Sequence, residues 1–575
     1  MKATRLALAV ITAVALGTCA VWAQGPAVQW EPLTMDRLLD PEAGDWINVR
    51  RTYDGAGYSP LSQINSENVD QLRVAWAYSF SDDTRWAPNP VVANGIIYVS
   101  ESGGKVHAID AATGRAVWVY QRQLPEDISV SQAFNRARGV AVAYDKVYYG
   151  TADSYLVALD ARTGEVVWET MTGDYKTGRG HSHPPIVADG KVIIGMNGGE
   201  FKTRGTVQAF DAETGELVWQ VYTVPERGEP GSETWAEEDE IWGGATWGTP
   251  TYDPETQTVY IATGQPLPWS GLLRGPGDNL YTNSILALDV DTGEMKWYFQ
   301  TLPHDYWDLD SPFESVLVDL EIDGEVRKAL VHHTKTGWGI VLDRVTGEFL
   351  HAYQIAYQNV IEGWDENGRP IFNPEARPGY DAQNSGERFF TCPHLHGARN
   401  VHQTSYSPDT GLIYQGVNNH CMNVEYVDAE YRPGRLWVGF RYDTVLAPGY
   451  DHVGEFAAFD PATGERKWTY VTESGAPMSA SALTTAGNLV FGGTTDREFF
   501  ALDATTGELL WSITLNGDVT GSPITFMVDG KQYVAIGAGG TVAASTSFAP
   551  LVGLRTQPGS GVLWVFELPE SATSN

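Results

Sequence analysis

Positive charge is scarce in this sequence: 38 lysines and arginines stand against 72 aspartates and glutamates, a formal net charge of −34 over 575 residues. Such a surface repels phosphate, which argues against nucleic acid as a partner. Cysteine is scarcer still, with three in the chain. None stands in a Cys-x-x-Cys-His arrangement, so no haem is covalently attached. No Gly-x-Gly-x-x-Gly follows a strand-forming run, which removes the usual signature of a dinucleotide site. Beyond the first residues no apolar stretch is long enough to cross a bilayer.

Those first residues have their own pattern. Lys2 and Arg5 precede an apolar run from Leu6 to Leu16, and Val21-Trp22-Ala23 offers small residues for cleavage. The pattern predicts a secretory signal over residues 1–23, leaving 24–575 as the mature chain. Thr18 before Cys19 fits a lipoprotein signal poorly. The mature chain then keeps Cys392 and Cys421 in an oxidising compartment, where a disulfide between them is expected.

Glycine (61), tyrosine (27) and tryptophan (20) are plentiful. They belong to a repeat: a small apolar run ending in Asp, then Thr-Gly, then Trp. It reads Asp110/Thr113/Gly114/Trp118, Asp160/Thr163/Gly164/Trp168, Asp211/Thr214/Gly215/Trp219 and Asp289/Thr292/Gly293/Trp297. A variant, Asp343/Thr346/Gly347, ends in His351, and Asp460/Thr463/Gly464/Trp468 and Asp503/Thr506/Gly507/Trp511 complete the series. In each copy the Asp caps a turn, Gly supplies positive φ, and the next strand delivers a Trp for packing between sheets. Upstream of the copies lie hairpin signals such as Asn94-Gly95 and Asp189-Gly190. Four strands per repeat, arranged radially, make an all-β propeller.

The long interval from Asp343 to Asp460 leaves room for an extra blade, and Ser407 to Tyr414 reads as its worn copy, which brings the count to eight. Residues 72–76 read as an early strand that pairs with the C-terminal blade and closes the ring. Stretches near 352–390 and 424–452 read as insertions over one face. A propeller alone assigns no chemistry, and one rival reading is a non-catalytic scaffold.

Four segments depart from the repeat: Gly198 to Gly205, Trp242 to Gly248, Ala262 to Trp269, and Pro303-His304-Asp305-Tyr306-Trp307-Asp308-Leu309-Asp310. In this order they resemble the dehydrogenases of alcohols that use pyrroloquinoline quinone (PQQ), the methanol, ethanol and sugar-alcohol dehydrogenase superfamily. The resemblance spans nearly the whole mature chain. It implies a periplasmic enzyme that oxidises alcohols, with sugars, polyols or aldehydes as alternative substrates, and passes electrons to a separate acceptor such as a soluble cytochrome c. It implies Asp308 as the catalytic base, and Glu200, Gln265, Asp308 and Asp310 around a metal ion. Gln265 stands where relatives carry Asn; its amide oxygen is still a hard donor. The ion implied is Ca²⁺, with a lanthanide as the alternative because Asp310 adds a carboxylate.

The same resemblance implies Trp247 as a stacking floor, Arg138 as a partner for a PQQ carboxylate, and Ser182, Lys335 and Asn400 as donors to the cofactor. Where methanol and ethanol dehydrogenases carry adjacent cysteines this chain has Gln132-Ala133, and Ala87 replaces a Glu near the cofactor. Cys392 and Cys421 match a structural disulfide of part of the family. The pairs His181/His183 and His332/His333 lack a Cys or carboxylate at ligand spacing and read as loop residues.

Overall fold

The structure, a computed structural model, describes residues 30–81, 87–128, 138–540, 546–555 and 559–570. The expected leader and Gln132-Ala133 lie outside the described residues.

The first repeat shows how sequence becomes blade. Val91–Ala93, Ile96–Glu101, Lys105–Asp110 and Ala116–Gln121 form an antiparallel meander in chain order. The Asn94-Gly95 turn has positive φ at both residues (53° and 71°), the twist that suits a two-residue hairpin. The first two strands are buried throughout, so their side chains are apolar in near-continuous runs. The fourth alternates between exposed and half-buried positions, as an outer strand with one wet face must.

The Asp-Thr-Gly turn follows. Thr113 N donates to Asp110 Oδ1 (2.8 Å) and Gly114 N to Asp110 O (2.9 Å). Glycine is required for two reasons, seen at Gly164: its φ is +73°, and a Cβ there would stand 2.7 Å from the Trp118 ring. Trp118 Nε1 donates to Ala161 O (3.0 Å) in the same turn. The Trp of one blade thus lies flat on the turn of the next. Trp76, Trp168, Trp219, Trp297 and Trp468 lie in the same way on Gly114, Gly215, Gly293, Gly347 and Gly507. In the variant copy Tyr353, two residues beyond His351, packs on Gly464 instead.

Among the described residues, eight sheets have this four-strand plan, one with a short fifth strand, consistent with the eight blades expected. The position of the eighth is corrected. Ser405–Ser407 and Leu412–Asn418 are the first two strands of the blade that also holds Asp460, so residues 407–414 are not a separate blade. The eighth blade is built from both ends of the chain: Ile524–Val528, Lys531–Ala538 and Val562–Glu567, with Arg73–Ser79 as its outer strand. No turn joins its third and fourth strands, so it needs no Asp-Thr-Gly copy. Trp76 still supplies the docking indole, and the ring closes through the antiparallel pairing of Arg73–Ser79 with Val562–Glu567.

Between its blade strands, the interval from Asp343 to Asp460 holds two insertions. One carries the hairpin Ile361–Trp364/Pro370–Phe372 and the strand Phe389–Thr391. The other carries His420–Tyr426 and Phe440–Leu446, which pair with each other. Phe389–Thr391 pairs with His420–Tyr426, and Cys392 and Cys421 form a disulfide with Cα atoms 4.4 Å apart, so the insertions form one unit. Their Leu395, Met422, Val424 and Tyr426 pack in one apolar cluster with Tyr306, Trp307 and Leu309. His332 and His333 are not loop residues: they end the strand Glu325–His333 and are buried.

Meander parity decides which loops meet. Turns from strand one to two and from three to four share one end of the propeller. Turns from two to three, and crossovers from four to the next blade's first strand, share the other. The Asp-Thr-Gly turns are all of the first kind.

Candidate functional site

All nine residues singled out from the sequence lie on the second kind of loop. Glu200, Gln265 and Lys335 sit between second and third strands of their blades, and Arg138, Ser182, Trp247, Asp308, Asp310 and Asn400 sit on crossovers. All nine line one cavity of about 180 Å³.

The acidic side comes from buried carboxylates. Asp305 is a structural member of its segment: it accepts from Trp307 N (2.8 Å) and Asn283 Nδ2 (3.2 Å). That clamp turns the chain so that Asp308 and Asp310 face the cavity, and Asp308 holds a left-handed φ of 67°, which costs a non-glycine residue about 1–3 kcal/mol. Burial pushes the Asp308 carboxyl well above its usual range; Lys335 opposes the shift, while Asp310, Asp305 and Glu200 add to it. Burial likewise pushes Glu200 up to about 7, partly offset by a backbone hydrogen bond.

Lys335 is the ammonium facing these carboxylates. Its Nζ donates to Asp310 Oδ1 (2.5 Å) and Asp308 O (2.8 Å), and lies 3.6 Å from Asp308 Oδ2. Burial alone would lower its pKa, but the attraction of Asp308 and Asp310 outweighs it and the amine is held charged.

Trp247 stands on a pedestal. Phe313 meets its ring edge-on (centroids 5.5 Å apart). The Arg399 guanidinium lies 4.3 Å from the Phe313 centroid and forms a buried two-pronged pair with Glu314 (3.0 Å on each arm). Trp247 Nε1 donates to Asp310 Oδ2 (3.3 Å), and Arg138 lies 5.3 Å over the indole, its Nη1 donating to Trp247 O (3.4 Å). Ser182 is buried at the cavity wall. Asn400 uses one amide N–H on His396 O (3.0 Å).

Whether these residues suit a cation can be tested on their own contacts. Glu200 Oε2 is buried without a hydrogen-bond partner among the described residues. One end of the Gln265 amide lies 2.7 Å from Asp310 Oδ2 and the other 2.9 Å from Trp269 Nε1. With nitrogen towards Asp310 both contacts are hydrogen bonds. With oxygen towards Asp310 two acceptors meet there and two donors meet at Trp269, so Gln265 can offer its oxygen to a cation only if Trp269 Nε1 gives up that contact. Among the described residues no three His, Cys, Asp or Glu side chains are close enough to hold an ion by themselves. The donor set is therefore partial: hard oxygens with surplus negative charge, suited to Ca²⁺ or a trivalent ion that takes further oxygens from a bound ligand. The histidine pairs form no such site; His181 bonds Thr172 Oγ1 (2.7 Å) and Gly195 O (2.8 Å), and His333 bonds Tyr353 OH (2.8 Å).

Sequence reasoning missed part of the wall. Trp269, His396, His420, Met478 and Phe548 also line the cavity. Trp269 ends a segment already marked as departing from the repeat; His420 had no local signal beyond its neighbour Cys421.

Comparison with known proteins gives the family. The family model described as "PQQ: Glucose/ethanol/alcohol dehydrogenase, beta-propeller domain" matches residues 46–362 and 470–534. The quinoprotein alcohol dehydrogenase PedH of Pseudomonas putida is 37% identical over 90% of each chain. The lanthanide-dependent methanol dehydrogenase of Methylacidiphilum fumariolicum is 34% identical, over 93% of this chain and 92% of that one. A europium-containing methanol dehydrogenase structure superposes with a TM-score of 0.87 at 33% identity, over 93% of this chain and all of the other. The residues matched by the family model include eight of the nine cavity residues named from the sequence, Asn400 lying outside them, and the chain belongs to the glucose/ethanol/alcohol dehydrogenase β-propeller family of quinoproteins.

Proposed function

We propose that this protein is a PQQ-dependent dehydrogenase that oxidises alcohols to aldehydes or ketones. One observation carries the reading: loops of successive blades bring a base, an indole floor, an ammonium and surplus buried carboxylates to one cavity. PQQ, when bound, supplies the two-electron acceptor and the adjacent ion a Lewis acid.

The chain's own residues have separable tasks. Asp308 takes the hydroxyl proton onto its carboxylate; its raised pKa makes it the stronger base once it is charged. Trp247, steadied by Phe313, supports the flat face of the cofactor, and Arg138 meets a carboxylate of it. Ser182 and Asn400 serve as donors at its rim. Glu200, Gln265, Asp308 and Asp310 would hold the ion, with Ca²⁺ favoured and a lanthanide the alternative. Lys335 holds Asp308 and Asp310 in place and puts positive charge where negative charge builds up on reduction.

Electrons leave to a separate acceptor, and the net charge of −34 suits a basic carrier such as a soluble cytochrome c. The leader-like residues 1–23 and the Cys392–Cys421 disulfide support a periplasmic location. Among the described residues no helix is long and apolar enough to cross a membrane.

The test is reconstitution of purified protein with PQQ plus Ca²⁺ or La³⁺, followed by dye reduction across an alcohol panel. Turnover is expected only with quinone and ion together; no turnover with any ion and any alcohol overturns the reading. In the same assay Asp310→Ala should reduce the La³⁺ form far more than the Ca²⁺ form if the extra carboxylate serves a trivalent ion, and equal losses would end the lanthanide alternative.

A further inference from the structure

We infer that His420 is a hydroxyl-binding residue that makes the cavity prefer alcohols with a second hydroxyl group, such as diols and polyols, over alkyl alcohols of the same length. The inference rests on the dehydrogenase reading for the reacting hydroxyl, but its own evidence lies elsewhere in the cavity.

His420 begins the inserted strand His420–Tyr426, is 1% exposed, and lines the same cavity as Asp308 and Lys335. Among the described residues neither ring nitrogen has a hydrogen-bond partner. The ring is stacked on Phe548, centroids 3.8 Å apart and planes 20° from parallel, which covers one of its faces. Burial holds its pKa well below the ordinary imidazole value, with His394 and His396 adding to the shift. The ring is therefore neutral and offers one N–H donor and one lone pair.

Its neighbour shows what a satisfied histidine looks like here. His394 Nδ1 accepts from His396 N (3.2 Å), and its Nε2 meets Thr444 Oγ1 (3.2 Å). His394 N donates to His420 O (2.9 Å), and the Cys392–Cys421 disulfide ties the two segments two residues before His394 and one after His420. The backbone at His420 is thus fixed, and its ring is held where both nitrogens stay unpaired. A buried polar group left unpaired is costly, and a site built around one discriminates strongly for the ligand that satisfies it. A hydroxyl can accept from the N–H or donate to the lone pair, so it can pair with either ring nitrogen. The reacting hydroxyl belongs at Asp308, so the group that pairs with His420 is a second one.

The test uses the holoenzyme and compares 1-propanol with 1,2- and 1,3-propanediol. For wild type, the diol-to-propanol ratio of kcat/KM is expected to be at least tenfold higher than for His420→Phe, while His420→Gln, which keeps a donor and an acceptor, retains most of the preference. A second readout needs no turnover: the better diol should raise the melting temperature of wild type and not of His420→Phe, and propanol should raise neither. If His420→Phe fails to fold, His420→Leu takes its place in both measurements. A ratio within twofold of wild type, or equal melting shifts in both proteins, overturns the inference, as it would if water alone fills the site. Absence of dye reduction with every alcohol, alongside a diol shift confined to wild type, overturns the redox reading and leaves the subsite standing.

Discussion

The two ends of this propeller are built by opposite rules. At one end the turns repeat one local solution, as where Asp110 caps Thr113: glycine turns left-handed and a neighbouring aromatic ring lies on it. At the other end no two loops are alike, polar groups are buried, and Asp308 holds a strained backbone. One end stores stability in copies; the other gives some of it up for chemistry, as functional sites commonly do.

Three measurements would break or sharpen that contrast. The largest effect is expected at Asp308: Asp308→Ala should lower kcat by about a thousandfold or more without lowering the melting temperature, because a buried carboxylate with a raised pKa is removed. Activity near wild type removes Asp308 as the base, and a large stability loss would mean the residue is structural. Next is Gly164→Val on the repeating end. The left-handed φ and the Trp118 ring 2.7 Å from the new Cβ should together cost about 2–4 kcal/mol in denaturant unfolding, with kcat/KM of the folded fraction unaltered. A change in kcat/KM there would show that the two ends are coupled.

The smallest concerns acid. Burial holds His181 on the site end at about 4, with Arg179 contributing, below the ordinary value of about 6.5. A histidine depressed in the folded state contributes stability that is complete above about 6.5 and lost as pH falls towards 4. The Asp211 turn behaves differently: the Thr214 backbone amide, above all, holds that carboxyl below its ordinary value, so this turn keeps its cap to lower pH. His181→Gln should therefore narrow the fall in unfolding free energy between pH 7 and 5.5 by about 1 kcal/mol, whereas Asp211→Asn should leave that interval unaltered. An unchanged acid profile in His181→Gln would place the sensitivity elsewhere.

Legibility in the sequence followed the same division. Turn chemistry involves residues three to eight apart, so the repeat and the hairpins could be read directly, while the closing strand at Arg73–Ser79 was read from its apolar run and pairs with Val562–Glu567. The eighth blade was misplaced because it is assembled from the two ends of the chain and has no turn of its own to leave a signature. Lys335, Glu200 and Asp308 were found through a family pattern of segments, and Asp305 separated from its neighbours only when its bonds to Trp307 and Asn283 were seen. His420 was missed because an isolated histidine beside a cysteine says nothing about whether its nitrogens are paired.

By itself, then, the sequence determined the blade, since every element of that unit is fixed by neighbours a few residues away. Only the tertiary structure decided which of many polar side chains would meet, and which would meet nothing. Those contacts join loops up to hundreds of residues apart, and their energies depend on burial, which no local pattern encodes.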